Sequence, residues 1–296
     1  MSSVEVLPRS LLAPLTRRSD VRGLLQLASH LAALGLTATL IGRSLGSGWL
    51  LPAMALHGAV LSFLFAPAHE CVHCTAFRSR SLNRAVAAFC GFLLVLPPRH
   101  FRAFHLAHHR HTQDPARDPE LTVPKPTHRR AYLWHVSGIP YWRAQFASLW
   151  HHARGRAEEP FVTPAERPAL VREARLLWLG YGVVALGSLL SGSTAALLYW
   201  VIPALLGQPW LRLYLLAEHT GCPAVADMFR NTRTTLTIPL LRWLAWNMPY
   251  HAEHHVAAAV PFHQLPALHR LLRERIVVLT PGYLAFHRQW WWGRMG

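Results

Sequence analysis

The sequence predicts an all-α integral membrane protein of two transmembrane hairpins, with a histidine-rich two-metal site beside them. Three observations carry this prediction. Hydrophobic residues make up 52% of the 296 positions and charged residues only 15%, a low charge content for a soluble protein. The apolar residues are concentrated in long runs rather than spread along the chain. Between and after those runs stand three tight clusters, His69-Glu70-Cys71-Val72-His73, His105-Leu106-Ala107-His108-His109 and His251-Ala252-Glu253-His254-His255.

Residues 1–23 form a basic lead with Arg9, Arg17, Arg18 and Arg22, too polar for a cleavable leader. Runs 24–42 and 49–68 approach the roughly 20 residues that cross a hydrocarbon core and give the first hairpin. The first cluster follows at the membrane surface. Run 85–96 is short for a span, stops at Pro97-Pro98 and reads as a buried or interfacial helix. The second cluster comes next, then a Pro/Arg/Asp stretch over 113–130 that predicts a loop. Residues 131–174 mix Trp, Tyr, Arg and His, as an amphipathic interfacial helix does. Runs 176–190 and 195–216, joined at Ser191-Gly192-Ser193, give the second hairpin. Beyond them lie the third cluster, a proline-rich turn at 261–266, and Trp290 to Trp292, which suit a headgroup-level anchor. The expected organisation is a lead over 1–23, a membrane domain over 24–275 and a cytosolic or interfacial tail over 276–296.

The formal net charge is +16, and every basic residue but Lys125 is arginine. These arginines sit almost wholly outside the runs. By the positive-inside rule the N-terminus, the 70–174 segment and the C-terminal part face the cytoplasm. Anionic headgroups account for such a charge, so no nucleic-acid partner is expected. Cys71, Cys74, Cys90 and Cys222 do not suggest a disulfide framework, and Cys71-Val72-His73-Cys74 lacks the second pair of a zinc ribbon.

Helical residues three or four apart share a face, so each cluster presents its imidazoles in one direction. Neutral imidazole is the commonest protein metal ligand. Eight are too many for one tetrahedral zinc, and two ions held where water meets membrane use them all. Alone, His69-Glu70-x-x-His73 matches the zinc-metalloprotease helix. That reading, an intramembrane zinc metalloprotease, leaves two clusters without a role, and imidazoles beside apolar spans are costly without partners. A carboxylate-bridged di-iron bundle needs a second Glu-x-x-His, which the other clusters lack. A metal transporter needs ligands along a transmembrane path, whereas these clusters share one face.

The clusters match, in order, the histidine boxes H-x(3–4)-H, H-x(2–3)-H-H and [HQ]-x(2–3)-H-H. The sequence resembles the integral-membrane fatty acid desaturase/hydroxylase superfamily. The similarity continues in His109-Arg110-His111-Thr112-Gln113-Asp114-Pro115-Ala116-Arg117-Asp118-Pro119-Glu120, in Asn247-Met248-Pro249-Tyr250-His251, and in Val260-Pro261-Phe262-His263-Gln264-Leu265-Pro266. It covers roughly residues 50–275. The resemblance implies four transmembrane helices under a cytosolic helical cap, and a di-iron centre held by histidines without a bridging carboxylate. It also implies a further ligand near the cytosolic end of the last span, where His219 stands. The expected ligands are therefore His69, His73, His105, His108, His109, His219, His251, His254 and His255. Animal acyl-CoA desaturases carry an asparagine four residues before that last histidine; Leu215 stands here, which argues against that subgroup.

Glu70, Asp118, Glu218 and Glu253 are candidates to orient ligating imidazoles, as carboxylates around metal sites do. His111 lies within reach of the second cluster. His128, His135, His151, His152, His263, His269 and His287 read as interfacial, and His30 and His57 as hydrogen-bonded between spans. Arg212 either meets a lipid headgroup or snorkels. The resemblance implies a lipid acyl-chain desaturase that uses two ferrous ions, O2 and an external electron donor such as a ferredoxin. The alternative is hydroxylation of a lipid, carotenoid or alkyl substrate. The expected location is a bacterial inner membrane, with the site on the cytoplasmic side.

Overall fold

The computed structural model describes residues 7–293, so the first six and last three positions of the terminal segments lie outside the described residues. The short α1 (Arg9–Leu15) precedes α2 (Asp20–Arg43), whose N-terminus is capped by the Ser19 hydroxyl accepting from the Arg22 amide. α3 (Leu50–Ser62) runs into α4 (Phe65–His73), and α5 (Arg80–Leu94) into α6 (Pro98–His111). Then come α7 (Arg129–Val136), α8 (Ile139–Ala153), α9 (Arg167–Ser191) and α10 (Ile202–His219). Five short helices close the chain: α11 (Met228–Asn231), α12 (Pro239–Leu244), α13 (His251–Val256), α14 (Leu265–Leu272) and α15 (Tyr283–Trp291).

Among the described residues three helical stretches are long and apolar enough to cross a membrane: Asp20–Arg43, Leu50–His73 and Arg167–Ser191. The count becomes four if α5 and α6, bent by 98° at their break, form one broken span. The second stretch overruns its expected end at 68 and carries the first histidine cluster as its last turn. The third begins at Arg167 rather than 176, so the expected interfacial segment 131–174 resolves into α7, α8, a loop and the start of α9. The expected span 195–216 is a π-helical turn, Leu197–Val201, that continues into α10.

Outward faces of α2 and α9 present large apolar residues, Leu25 and Leu36 on one, Leu189 and Leu190 on the other. Apolar surface this continuous marks contact with lipid or protein. α10 packs along α3 at very close range. A Cβ on Gly58 would lie 2.0 Å from the Pro203 carbonyl oxygen, and one on Gly207 would lie 2.0 Å from that of Gly58. Small residues let two helices approach in this way.

His30 donates to, or accepts at, neighbouring elements through Val60 O and Trp246 Nε1, and His57 bonds Thr37 and the Tyr199 carbonyl. Both therefore join helices, as expected. The tail is no loose extension. A two-residue parallel ladder pairs Thr234–Thr235 with Leu279–Thr280, and the Trp290 ring packs on Tyr132 at 4.4 Å. Of the three tryptophans expected at headgroup level, Trp292 is the exposed one. The main core, around Leu64, Phe77, Leu94, Trp246, Leu265 and Leu268, takes in residues of α4, α13 and α14, the first and second of which carry histidine clusters.

Candidate metal centre

Four elements bring all nine expected ligands together: α4, α6, the last residue of α10, and α13. The imidazoles sort into two groups. His69, His73, His105, His109 and His254 each offer one nitrogen within 4.8 Å of the others, and His108, His219 and His255 do the same. His251 joins the second group, its Nε2 lying 3.1 Å from the Nε2 atoms of both His219 and His255. Each H-x-x-H-H box is divided in one pattern. Its i,i+4 pair (His105 with His109, His251 with His255) stays together, and its i+3 member (His108, His254) crosses to the other group. Helical geometry dictates this. At 3.6 residues per turn, positions i+3 and i+4 fall on opposite sides of position i.

The donor chemistry fits metal ions. Nε2 atoms face Nε2 atoms at 2.9 Å (His73 and His105), 3.0 Å (His105 and His109) and 3.2 Å (His108 and His219). A neutral imidazole carries one N–H and one lone pair, so so many nitrogens cannot satisfy one another with protons alone. Both nitrogens of His69 and of His254 are buried without a hydrogen-bond partner. Burial, and after it the neighbouring imidazoles, hold His251, His254 and His255 well below the ordinary 6.5. They are neutral at pH 7, the state that ligates metal.

In the second group the Nδ1 atoms of His108, His219 and His255 have partners that aim Nε2 inward, whereas His251 Nδ1 is buried without a hydrogen-bond partner. His108 Nδ1 donates to Asp118 Oδ1 at 2.9 Å, and His219 Nδ1 to the Asn231 carbonyl at 3.2 Å. His255 Nδ1 meets Thr112 Oγ1 at 3.2 Å, and His251 Nδ1 lies 3.6 Å from Glu218. Asp118 also accepts from the Gln113 and Glu120 amides, so it shapes the loop as well as the ring.

Two expected orienting carboxylates do other work. Glu70 accepts from Thr75 Oγ1 at 2.8 Å and from the Phe262 amide at 3.1 Å. Glu253 is bonded to Thr234 and to His269. Each stands next to a ligand in sequence, so its side chain leaves the helix on a different face and ties the helix to a neighbouring segment. With Glu70 turned away and His69 and His73 grouped with three more imidazoles, the metalloprotease reading fails.

His111 belongs to neither group among the described residues. His269 and His152, expected at the interface, are buried instead. His269 holds Glu253, and His152 Nε2 bonds Glu159 beside His100. Asn231, Thr112 and Glu120 were not anticipated. Glu120 Oε2 lies 3.4 Å from His108 Nε2, and only the Asp-Pro-Glu stretch after the second box hinted at it.

A cavity of about 360 Å³ opens against both groups, reached by His69, His105, His108 and His251. Its walls are mostly apolar, from Phe63, Phe65, Leu96, Phe101, Phe104 and Met248, with Glu120, Lys125, His135 and Arg212 also lining it. Burial, then the charges of Arg212 and Lys125, push His135 down to about 4.

The sequence model of the fatty acid desaturase family matches residues 47–290. The chain belongs to the fatty acid desaturase family. It is an oxidoreductase, and its relatives act on lipids by name. It is 23% identical to the sn-1 oleoyl-lipid 12-desaturase of Picosynechococcus sp., over 76% of this chain and 69% of that one. Identity to the sphingolipid delta(4)-desaturase DES1 of Drosophila melanogaster is 26%, over 80% of this chain and 70% of the relative. The sphingolipid delta(4)-desaturase/C4-monooxygenase DES2 of Rattus norvegicus is 28% identical, over 78% and 68%.

Proposed function

We propose that this desaturase-family protein is a membrane-bound, O2-dependent di-iron desaturase of lipid acyl chains, supplied with electrons by a separate donor such as a ferredoxin. The observation that carries the reading is the nine-imidazole constellation at the wall of an apolar cavity. His69, His73, His105, His109 and His254 would hold one iron. His108, His219, His251 and His255 would hold the other, with the Glu120 carboxylate facing it. Bound iron would supply the O2-dependent oxidation that side chains cannot perform. The chain itself orients the ligands through Asp118, Asn231 and Thr112. Phe65, Phe101 and Met248 line the cavity and would keep water from the reacting methylenes.

In this reading α2, the α3–α4 helix and α9 are spans, the helix ending in α10 and packed on α3 is the fourth in place of the bent α5–α6 pair, and the remaining helices form a cytosolic cap. The arginine distribution supports a cytoplasmic site, in keeping with a bacterial inner membrane. An arginine-rich cytosolic face also suits an acidic electron donor.

Hydroxylation is the second reading, favoured by a relative whose name carries both desaturase and monooxygenase activity. Mass spectrometry of lipids from cells with and without the chain separates them. Loss of two hydrogens marks desaturation, gain of one oxygen marks hydroxylation, and an unchanged lipid profile counts against both.

A further inference from the structure

We propose that Arg212 anchors an anionic group on the substrate, making the preferred substrate an amphiphile with a carboxylate or phosphate. This rests on the proposed role of the cavity as the acyl-chain site. The argument is a charge account of the cavity lining. Lys125 is paired with Glu120 Oε1, whose other oxygen faces His108. Glu218 is turned toward His251. Arg212 is left without a contact ion pair, since Glu218 and Glu120 act on its charge only from longer range. Among the described residues no carboxylate lies within ion-pair distance of it, and its Nε is buried without an acceptor.

Arg212 does not snorkel either. Its guanidinium lies over the Tyr141 ring, 4.4 Å from the centroid, and lines the cavity. A guanidinium keeps its proton in proteins, and a buried charge is costly unless it is paired. The fork geometry of arginine suits bidentate binding of a carboxylate or a phosphate. Acyl methylenes supply no such partner, whereas an anionic head on the same molecule does. Arg212 stands seven residues before His219 on α10, about 10 Å of helix rise. The anionic end would then sit two turns from the metal centre, and the oxidised carbon would be counted from that end.

The test uses purified full-length protein, loaded with iron, in detergent. Wild type, Arg212→Gln and Arg212→Lys are titrated with palmitate, hexadecyl phosphate and hexadecanol, with ligand-induced thermal stabilisation as the readout. Wild type should bind one or both anionic probes at least about tenfold tighter than the alcohol, as a charge-assisted contact implies. Whichever anion binds tighter identifies carboxylate or phosphate as the source. R212Q should lose the preference while keeping its affinity for hexadecanol, and R212K should retain part of it. Equal affinity for all three probes in wild type, or an undiminished preference in R212Q, overturns the proposal. If R212Q does not fold, the wild-type and R212K titrations still decide. The readout needs no turnover. Anion-selective binding without lipid oxidation would sink the desaturase reading alone, and lipid oxidation without anion selectivity would sink the role of Arg212 alone.

Discussion

The rings of His109 and His255 stack at 4.0 Å between centroids, with planes 7° from parallel. One belongs to the five-imidazole group and the other to the second group, so the stack is the wall the two groups share. Two ions bound on either side of it would be neighbours without any bridging side chain.

The division of ligands predicts distinct losses. His109→Ala should release the metal of the first group, and His255→Ala that of the second. Metal analysis should find each variant with about half the wild-type content, provided the helical circular dichroism is unchanged. Full loss in both would mean that the two groups load as one site.

Asp118 fixes His108 and the loop after α6 at once. Asp118→Asn removes the carboxylate from the ring but keeps the size. It should weaken metal binding by the second group roughly 10- to 100-fold, measured by chelator competition. Asp118→Ala leaves the Gln113 and Glu120 amides without their acceptor and should also cost about 1–3 kcal/mol of stability. An asparagine variant with wild-type metal affinity would contradict the orienting role.

Much of this centre was legible in the sequence because metal chemistry needs several identical ligands at helical spacing, and three boxes repeat that spacing. His219 was reached through the resemblance to the family, since a single histidine at a helix end carries no pattern of its own. Other parts were hidden for physical reasons. Glu70 and Glu253 look like orienting groups from their position beside ligands, but one residue along a helix turns a side chain by about 100°. Their partners, Phe262 and His269, come from other segments. The Asn231 contact to His219 runs through a backbone carbonyl, which no residue type encodes. Helical spacing splits each H-x-x-H-H box, but which imidazoles each side meets needed the relative placement of α6 and α13.

The close crossing of α3 and α10 should be intolerant of bulk. Gly207→Ala or Gly58→Ala forces backbone apart and should cost about 1–3 kcal/mol or more, seen as a lower thermal midpoint in detergent. Gly187→Ala on α9, where nothing lies within 4 Å, is the control and should be neutral or slightly stabilising. Equal tolerance at all three positions would refute the packing.

The pH dependence of metal binding has a defined sign. Protons compete with metal for imidazole, and His251, His254 and His255 are held well below 6.5 by burial and then by their neighbours. Affinity should therefore stay nearly flat as pH falls from about 8 through the ordinary histidine value, and decline only in stronger acid. A steep decline centred on the ordinary value would mean that the cluster is solvated and titrates normally.

Iron content of the purified, reconstituted protein tests the central claim most directly. The account predicts about two irons per chain, bound through nitrogen ligands and lost together with O2-dependent turnover when a chelator is applied. One zinc per chain, with no uptake of iron on reconstitution, would contradict it.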